Sequence, residues 1–105
     1  EASKKQIKTK DIAALTADQG VEFALFTKGN RRLIVRGDKF ETPVGETRLR
    51  QLASDGWKFS AHTHPTIGEW SLMPSPGDFD TLYLFKQGKS VIYNSSGEFR
   101  QFFKE

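Results

Sequence analysis

The chain has 105 residues, 16 Lys and Arg against 13 Asp and Glu, and no cysteine. That length gives one domain with one modest core. The missing cysteine removes disulfides, thiolate metal sites, a cysteine nucleophile and the Pro-Cys-x-x-Cys pattern of zinc deaminases. The net charge of +3 is mild, and Lys4, Lys5, Lys8 and Lys10 all fall in the first ten residues. Nucleic-acid binding is allowed but not indicated, because no basic helix or aromatic-basic stripe stands out. No apolar run approaches the roughly 18 residues of a membrane span, and no signal peptide is visible. The chain begins at Glu1 without Met and is read as a piece of a longer protein.

Residues 1–8 are polar and lysine-rich and are expected to form a basic tail with little order, leaving 9–105 as the domain. Asp11 to Gln19 reads as a short helix, with Ile12 and Leu15 on one side and Gly20 as the stop. Val21 to Thr27 is rich in strand formers. Lys28-Gly29-Asn30 is a turn signal and Arg31 to Arg36 a second strand, so 21–36 is a hairpin. A short strand near Lys39 to Thr42 follows. Arg31, Arg32 and Arg36 are read as the solvated face of the hairpin. Glu46 to Ser54 places Leu49, Leu52 and Ala53 on one helical face, with Gly56 as its terminator.

Trp57 to His62 alternates as a strand, with Trp57, Phe59 and Ala61 on the apolar side. By that alternation His62 faces the more polar side. Thr63 to Pro74 is a loop of 12 residues, a length that is uncommon in compact domains and often functional. Its Trp70, Leu72 and Met73 form either a substrate-facing lid or a cover that folds back on the core. A third helix follows, ending at Gly88, with Phe79, Leu82 and Tyr83 spaced for burial. Ser90 to Asn94 and Glu98 to Phe103 are two strands around an Asn-Ser-Ser-Gly turn. Trp57, Phe59, Phe79, Leu82 and Phe99 are read as core. The succession of helix, hairpin, helix, strand, helix and hairpin predicts an α/β domain, a mixed sheet flanked by helices.

The chain's two histidines, His62 and His64, are one residue apart. On a strand the period of two sends both to the same side. Two neutral imidazoles and a nearby carboxylate make the three protein ligands of an open catalytic zinc site, with water in the fourth position. Asp78 is the third ligand in this reading. Ser75-Pro76-Gly77-Asp78 also reads as a helix start, with Ser as the N-cap, Pro first and Asp closing a capping box. The two roles do not compete, because a helix start would itself position Asp78.

His62-Thr63-His64-Pro65 and then, after the ten residues 65–74 that follow His64, Ser75-x-x-Asp78 resemble the signature of the JAMM (JAB/MPN-type) zinc metalloprotease family. The resemblance runs from about residue 10 to the end, in element order as well as motif. It implies a cytidine-deaminase-like fold, Zn²⁺ on His62, His64 and Asp78, and Ser75 supporting an oxyanion. It also implies a catalytic Glu on the strand after the first helix, the place of Glu22 in Gly20-Val21-Glu22-Phe23-Ala24-Leu25. Glu41, Glu46 and Glu69 are the other carboxylates for that role. The spacer is longer than is usual in the family.

Most similar are bacterial JAB-like domains at the C-terminal ends of large secreted polymorphic toxins, with Glu-Phe-Ala-Leu, Ala-His-Thr-His-Pro and Pro-Ser-x-x-Asp. That likeness implies a polypeptide substrate, such as a ubiquitin-like conjugate, and an immunity or inhibitor protein as a partner. The expected activity is peptide or isopeptide hydrolysis, with Glu22 moving the proton of a metal-activated water. A non-catalytic binding module of the same fold and a metal-dependent nuclease-type toxin are the competing readings.

Overall fold

The structure is a computed structural model and describes residues 2–37, 46–68 and 70–104. It is a small α/β domain with one six-stranded mixed sheet and three helices. In chain order the elements are β1 (Ala2–Ser3), α1 (Asp11–Gln19), β2 (Phe23–Lys28), β3 (Arg31–Arg36), α2 (Glu46–Ser54), β4 (Lys58–Thr63), α3 (Pro76–Leu84), β5 (Lys89–Tyr93) and β6 (Phe99–Phe103). The strand expected near 39–42 lies outside the described residues. No helix among the described residues is long and apolar enough to cross a membrane.

The strand order is β1-β3-β2-β4-β5-β6. Every pairing is antiparallel except β4 with β5. A parallel pair cannot be closed by a tight turn, so the chain crosses over between them through the 64–75 segment and α3. The lysine-rich start, read from sequence as a tail, contributes β1, which pairs with Arg31 and Arg32.

Apolar side chains cover both faces of the sheet. On one, Ile12 of α1 packs with Phe23, Leu25 and Ala61. On the other, Leu49 and Leu52 of α2 and Leu82 of α3 pack with Ala24, Phe26, Phe59, Ile92 and Phe102. Gly20 ends α1 in the left-handed conformation, φ 70°, and its N–H closes on Thr16 O, the geometry glycine adopts without penalty. Arg31 lies with its guanidinium 4.9 Å from the Trp57 ring centroid, so this hairpin arginine is stacked on an aromatic face rather than simply solvated.

Phe99 is not core. It is 64% exposed, and Phe102 is the buried aromatic of β6. The physical reason is coverage. β6 is the sheet edge, and α1 packs mainly over β2 and β4. Phe99 lies beside Tyr93, 5.5 Å between centroids.

One irregularity decides where the site falls. Along β2 and β4, Leu25 pairs with Ala61 but Phe26 pairs with Phe59, so Ser60 is an extra residue. A bulge of this kind shifts the alternation by one. Phe59 and His62 consequently share a face, and their rings stack 5.2 Å apart. The expectation that His62 faces the polar side is thus overturned. The β4–β5 pairing joins His62 to Ile92 and Thr63 to Tyr93, and at Phe59 side chains supply the backbone bonds. Gln87 Oε1 accepts from Phe59 N at 2.6 Å, and Gln87 Nε2 donates to Phe59 O at 2.8 Å. Ser90 Oγ donates to the same carbonyl at 2.9 Å.

Candidate metal centre

His62 ends up inside the protein, 2% exposed, between the Phe59 ring and the edge of Phe102 at 5.7 Å. A buried imidazole normally finds partners for its nitrogens. Neither ring nitrogen of His62 has a hydrogen-bond partner among the described residues. Nε2 does lie 3.0 Å from Asp78 Oδ1, close enough for an ion pair but without the alignment of a hydrogen bond.

His64 follows directly after β4. Its backbone N–H bonds to Tyr93 O at 2.9 Å, which continues the β4–β5 pairing by one residue. Its ring centroid is 5.1 Å from that of His62. Nδ1 is 3.0 Å from Ser71 O, while Nε2 is 3.5 Å from Asp78 Oδ2. A carbonyl can only accept, so in the tautomer with the proton on Nδ1 the ring donates to Ser71 O and the Nε2 lone pair is left for a ligand bond. This is the usual outer-shell device of metal-binding histidines.

Asp78 is held by the start of α3. Ser75 Oγ accepts from Asp78 N at 3.3 Å, and Asp78 Oδ2 accepts from Ser75 N at 2.8 Å, a complete capping box with Pro76 in the first turn. The helix-start reading of this segment therefore holds, and it turns Oδ1 toward His62. Burial works against the Asp78 carboxylate, but His62, His64 and the Ser75 N–H outweigh it and hold its pKa well below the carboxylate range. Burial also opposes charge on His64, yet Asp78, Glu22 and the Ser71 carbonyl together lift its pKa above the ordinary value.

His62, His64 and Asp78 each present one ligand atom, and these atoms lie within 4.8 Å of one another. The group can hold a metal ion. Its donor set of two imidazoles and a carboxylate fits a divalent ion of the zinc type. The observation in favour is the buried His62 ring, which makes no aligned hydrogen bond while its Nε2 faces Asp78 Oδ1 at 3.0 Å.

Glu22 precedes β2 rather than lying within it, and its backbone is pinned from several directions. Thr16 Oγ1 donates to Val21 O. Glu22 O accepts from Gly37 N at 2.9 Å, and Phe23 N donates to Thr63 Oγ1 at 2.8 Å. The Glu22 carboxyl is near enough to His64 and Asp78 to feel both charges. Burial raises its pKa from 4.5 to about 7, with His64 lowering it and Asp78 adding to the rise. Of the other carboxylates weighed for this role, Glu41 and Glu69 lie outside the described residues, and Glu46 begins α2.

That shift sets a pH dependence for the metal-free chain. Below pH 4.5 the Glu22 carboxyl is protonated whether the chain is folded or not. Between 4.5 and about 7 the unfolded chain ionises and the folded one holds its proton, so stability falls as pH rises. Above that window the full cost is in place. Chemical denaturation of metal-free protein from pH 4 to 8 should show this loss, and Glu22→Gln should reduce it, leaving the part of the same sign that comes from the raised pKa of His64.

Three residues around the cluster were not singled out from the sequence. Thr63, wholly buried, bridges β4 to the residue after Glu22. Ser71 and Asn94 stand behind His64. Thr63 was legible in principle, since the alternation that sends His62 and His64 to one face sends the residue between them to the other. The enlarged loop divides between its two readings. Leu72 packs against the core, whereas Trp70 is 72% and Ile67 69% exposed. Compared with protein-family models, curated proteins and solved structures, the chain matches none of them.

Proposed function

We propose that the chain is a zinc-dependent hydrolase of the JAMM type with a JAB/MPN-like fold, cleaving a peptide or isopeptide bond in a polypeptide such as a ubiquitin-like conjugate. The effector end of a secreted bacterial toxin, with an immunity or inhibitor protein as partner, is the setting that the motif resemblance favours. The observation that carries the reading is the convergence of His62, His64 and Asp78 with Glu22 beside them.

When bound, zinc supplies a Lewis acid that polarises a carbonyl and brings the pKa of water to near ~7. The chain's own residues do the rest. His62 and His64 offer ring nitrogens, and Asp78 offers Oδ1. Glu22 takes a proton from the attacking water on its carboxylate and passes it to the leaving amine; a pKa of about 7 suits a group that must do both near neutrality. Ser75 Oγ already accepts from Asp78 N, so its hydroxyl hydrogen is left to donate to the developing oxyanion.

The two roles of Ser75 separate by substitution. Ser75→Ala should cost ~1 kcal/mol through the lost cap, whereas Ser75→Gly should cost only a few tenths. Both should lose about 10²-fold in kcat if the hydroxyl serves the oxyanion. Thermal melts and steady-state kinetics on the pair decide it.

The function is tested by zinc content together with cleavage of peptide, isopeptide-linked and nucleic-acid substrates, with and without a chelator. One zinc per chain and chelator-sensitive amide cleavage support the reading. Zinc without cleavage would leave a binding module, and cleavage of nucleic acid alone would make it a nuclease.

A further inference from the structure

Asn94 closes β5 and is wholly buried. Its side chain is used to capacity. Oδ1 accepts from Ser96 N and Glu98 N, each at 3.0 Å. Nδ2 donates to Glu98 Oε1 and to Ser71 Oγ, again at 3.0 Å each. The first three bonds shape the β5–β6 turn and would do so in any hairpin. The fourth leaves the turn and reaches into the 65–74 loop.

Ser71 is itself 4% exposed. Its Oγ accepts from Asn94 and donates to Gly68 O at 2.7 Å, which fixes the peptide on either side. Its carbonyl then stands 3.0 Å from His64 Nδ1. Two acceptors compete for the one ring proton of neutral His64. Ser71 O faces Nδ1, and Asp78 Oδ2 faces Nε2 at 3.5 Å. If the proton goes to Nε2, no lone pair is left on that nitrogen for a metal.

We propose that Asn94 is a positioning residue for His64, holding the Ser71 carbonyl where it takes the ring proton on Nδ1 and so keeps Nε2 open to a metal ion. The relay rests on the metal reading above, but the proton's place can be measured without any metal. It also assigns part of the enlarged loop a role: the loop brings a backbone carbonyl to the far side of the ligand ring.

The test uses the full chain, labelled with ¹⁵N and stripped of metal. With only two histidines in the sequence, the four ring nitrogens are resolved by nuclear magnetic resonance. At a pH above the His64 transition, found by following the ring signals, the wild type should hold the His64 proton on Nδ1. Asn94→Ala and Ser71→Ala should both move proton population to Nε2, and Ser71→Thr, which keeps the hydroxyl, should restore the wild-type tautomer. Zinc affinity, from competition with a chromophoric chelator, should fall 10- to 100-fold in the two alanine variants and recover with Thr. Since Asn94 is buried and its alanine variant risks misfolding, Ser71→Ala decides alone if Asn94→Ala does not fold. A wild-type proton on Nε2 overturns the proposal. So does an unchanged tautomer in the folded alanine variants, even if their zinc affinity drops, because the loss would then be structural. If the wild type binds no zinc, the metal reading fails while the ring spectrum still judges the relay.

Discussion

Glu22→Gln should keep its zinc and lose cleavage by about 10²- to 10⁴-fold, the usual worth of a positioned general acid–base group. The amide is nearly the same shape as the acid, so ligand geometry and the backbone bonds around Glu22 stay as they are. What is lost is the ability to take a proton. The same substitution should also stabilise the metal-free chain at pH 8. Holding Glu22 ionised there is opposed by a pKa rise from 4.5 to about 7, a cost that solvent screening of this partly exposed group reduces and of which Gln recovers a part. Slower turnover with greater stability is the mark of a site whose charge is tolerated for function. An ordinary solvated carboxylate would give neither effect. Zinc content, kcat/KM and urea midpoints on one preparation test all three statements, and a variant that cleaves like the wild type moves the base to another residue.

Local signals carried the fold a long way. The Gly20 stop, the Lys28-Gly29-Asn30 turn and the Ser75-Pro76 start match the observed ends of α1, β2 and α3 within a few residues. Each of these is a short-range effect: a left-handed residue, a tight turn, a capped helix. The capping box also placed the carboxylate of the cluster that could hold a metal, since Asp78 could be located from four consecutive residues. Site position was therefore more legible than site environment. Strict alternation through Trp57–His62 put His62 on the polar face, and the bulge at Ser60 reversed it. Nothing in Lys-Phe-Ser-Ala-His announces that bulge. The Phe59 backbone beside it is bonded by the Gln87 amide and the Ser90 hydroxyl, 28 and 31 residues away, contacts that no local pattern displays. Phe99 failed for a related reason. Its strand was foreseen, but which end of the sheet α1 leaves bare is a question of packing, not of composition.

The burial of His62 makes His64 the better residue on which to test the metal centre. His62→Ala would open a void against Phe59 and Phe102 as well as remove a ligand, so a weakened protein would explain any result. His64 is packed less deeply, with 16% of its side chain exposed. Its backbone bond to Tyr93 O does not depend on the ring. His64→Ala should therefore fold with a metal-free melting temperature close to the wild type's. Its zinc affinity should fall by more than about 100-fold, the upper end for changes in residues that merely support a ligand. Melting curves read both at once. Zinc at 100 times the wild-type dissociation constant adds about 2.7 kcal/mol to the folded state, and that increment should vanish in the variant. A zinc-dependent rise that survives in His64→Ala would mean the ion sits elsewhere on the chain. The proximity of His62, His64 and Asp78 would then need another cause, and the buried, unpartnered nitrogens of His62 would be a cost to stability with no ligand to offset it.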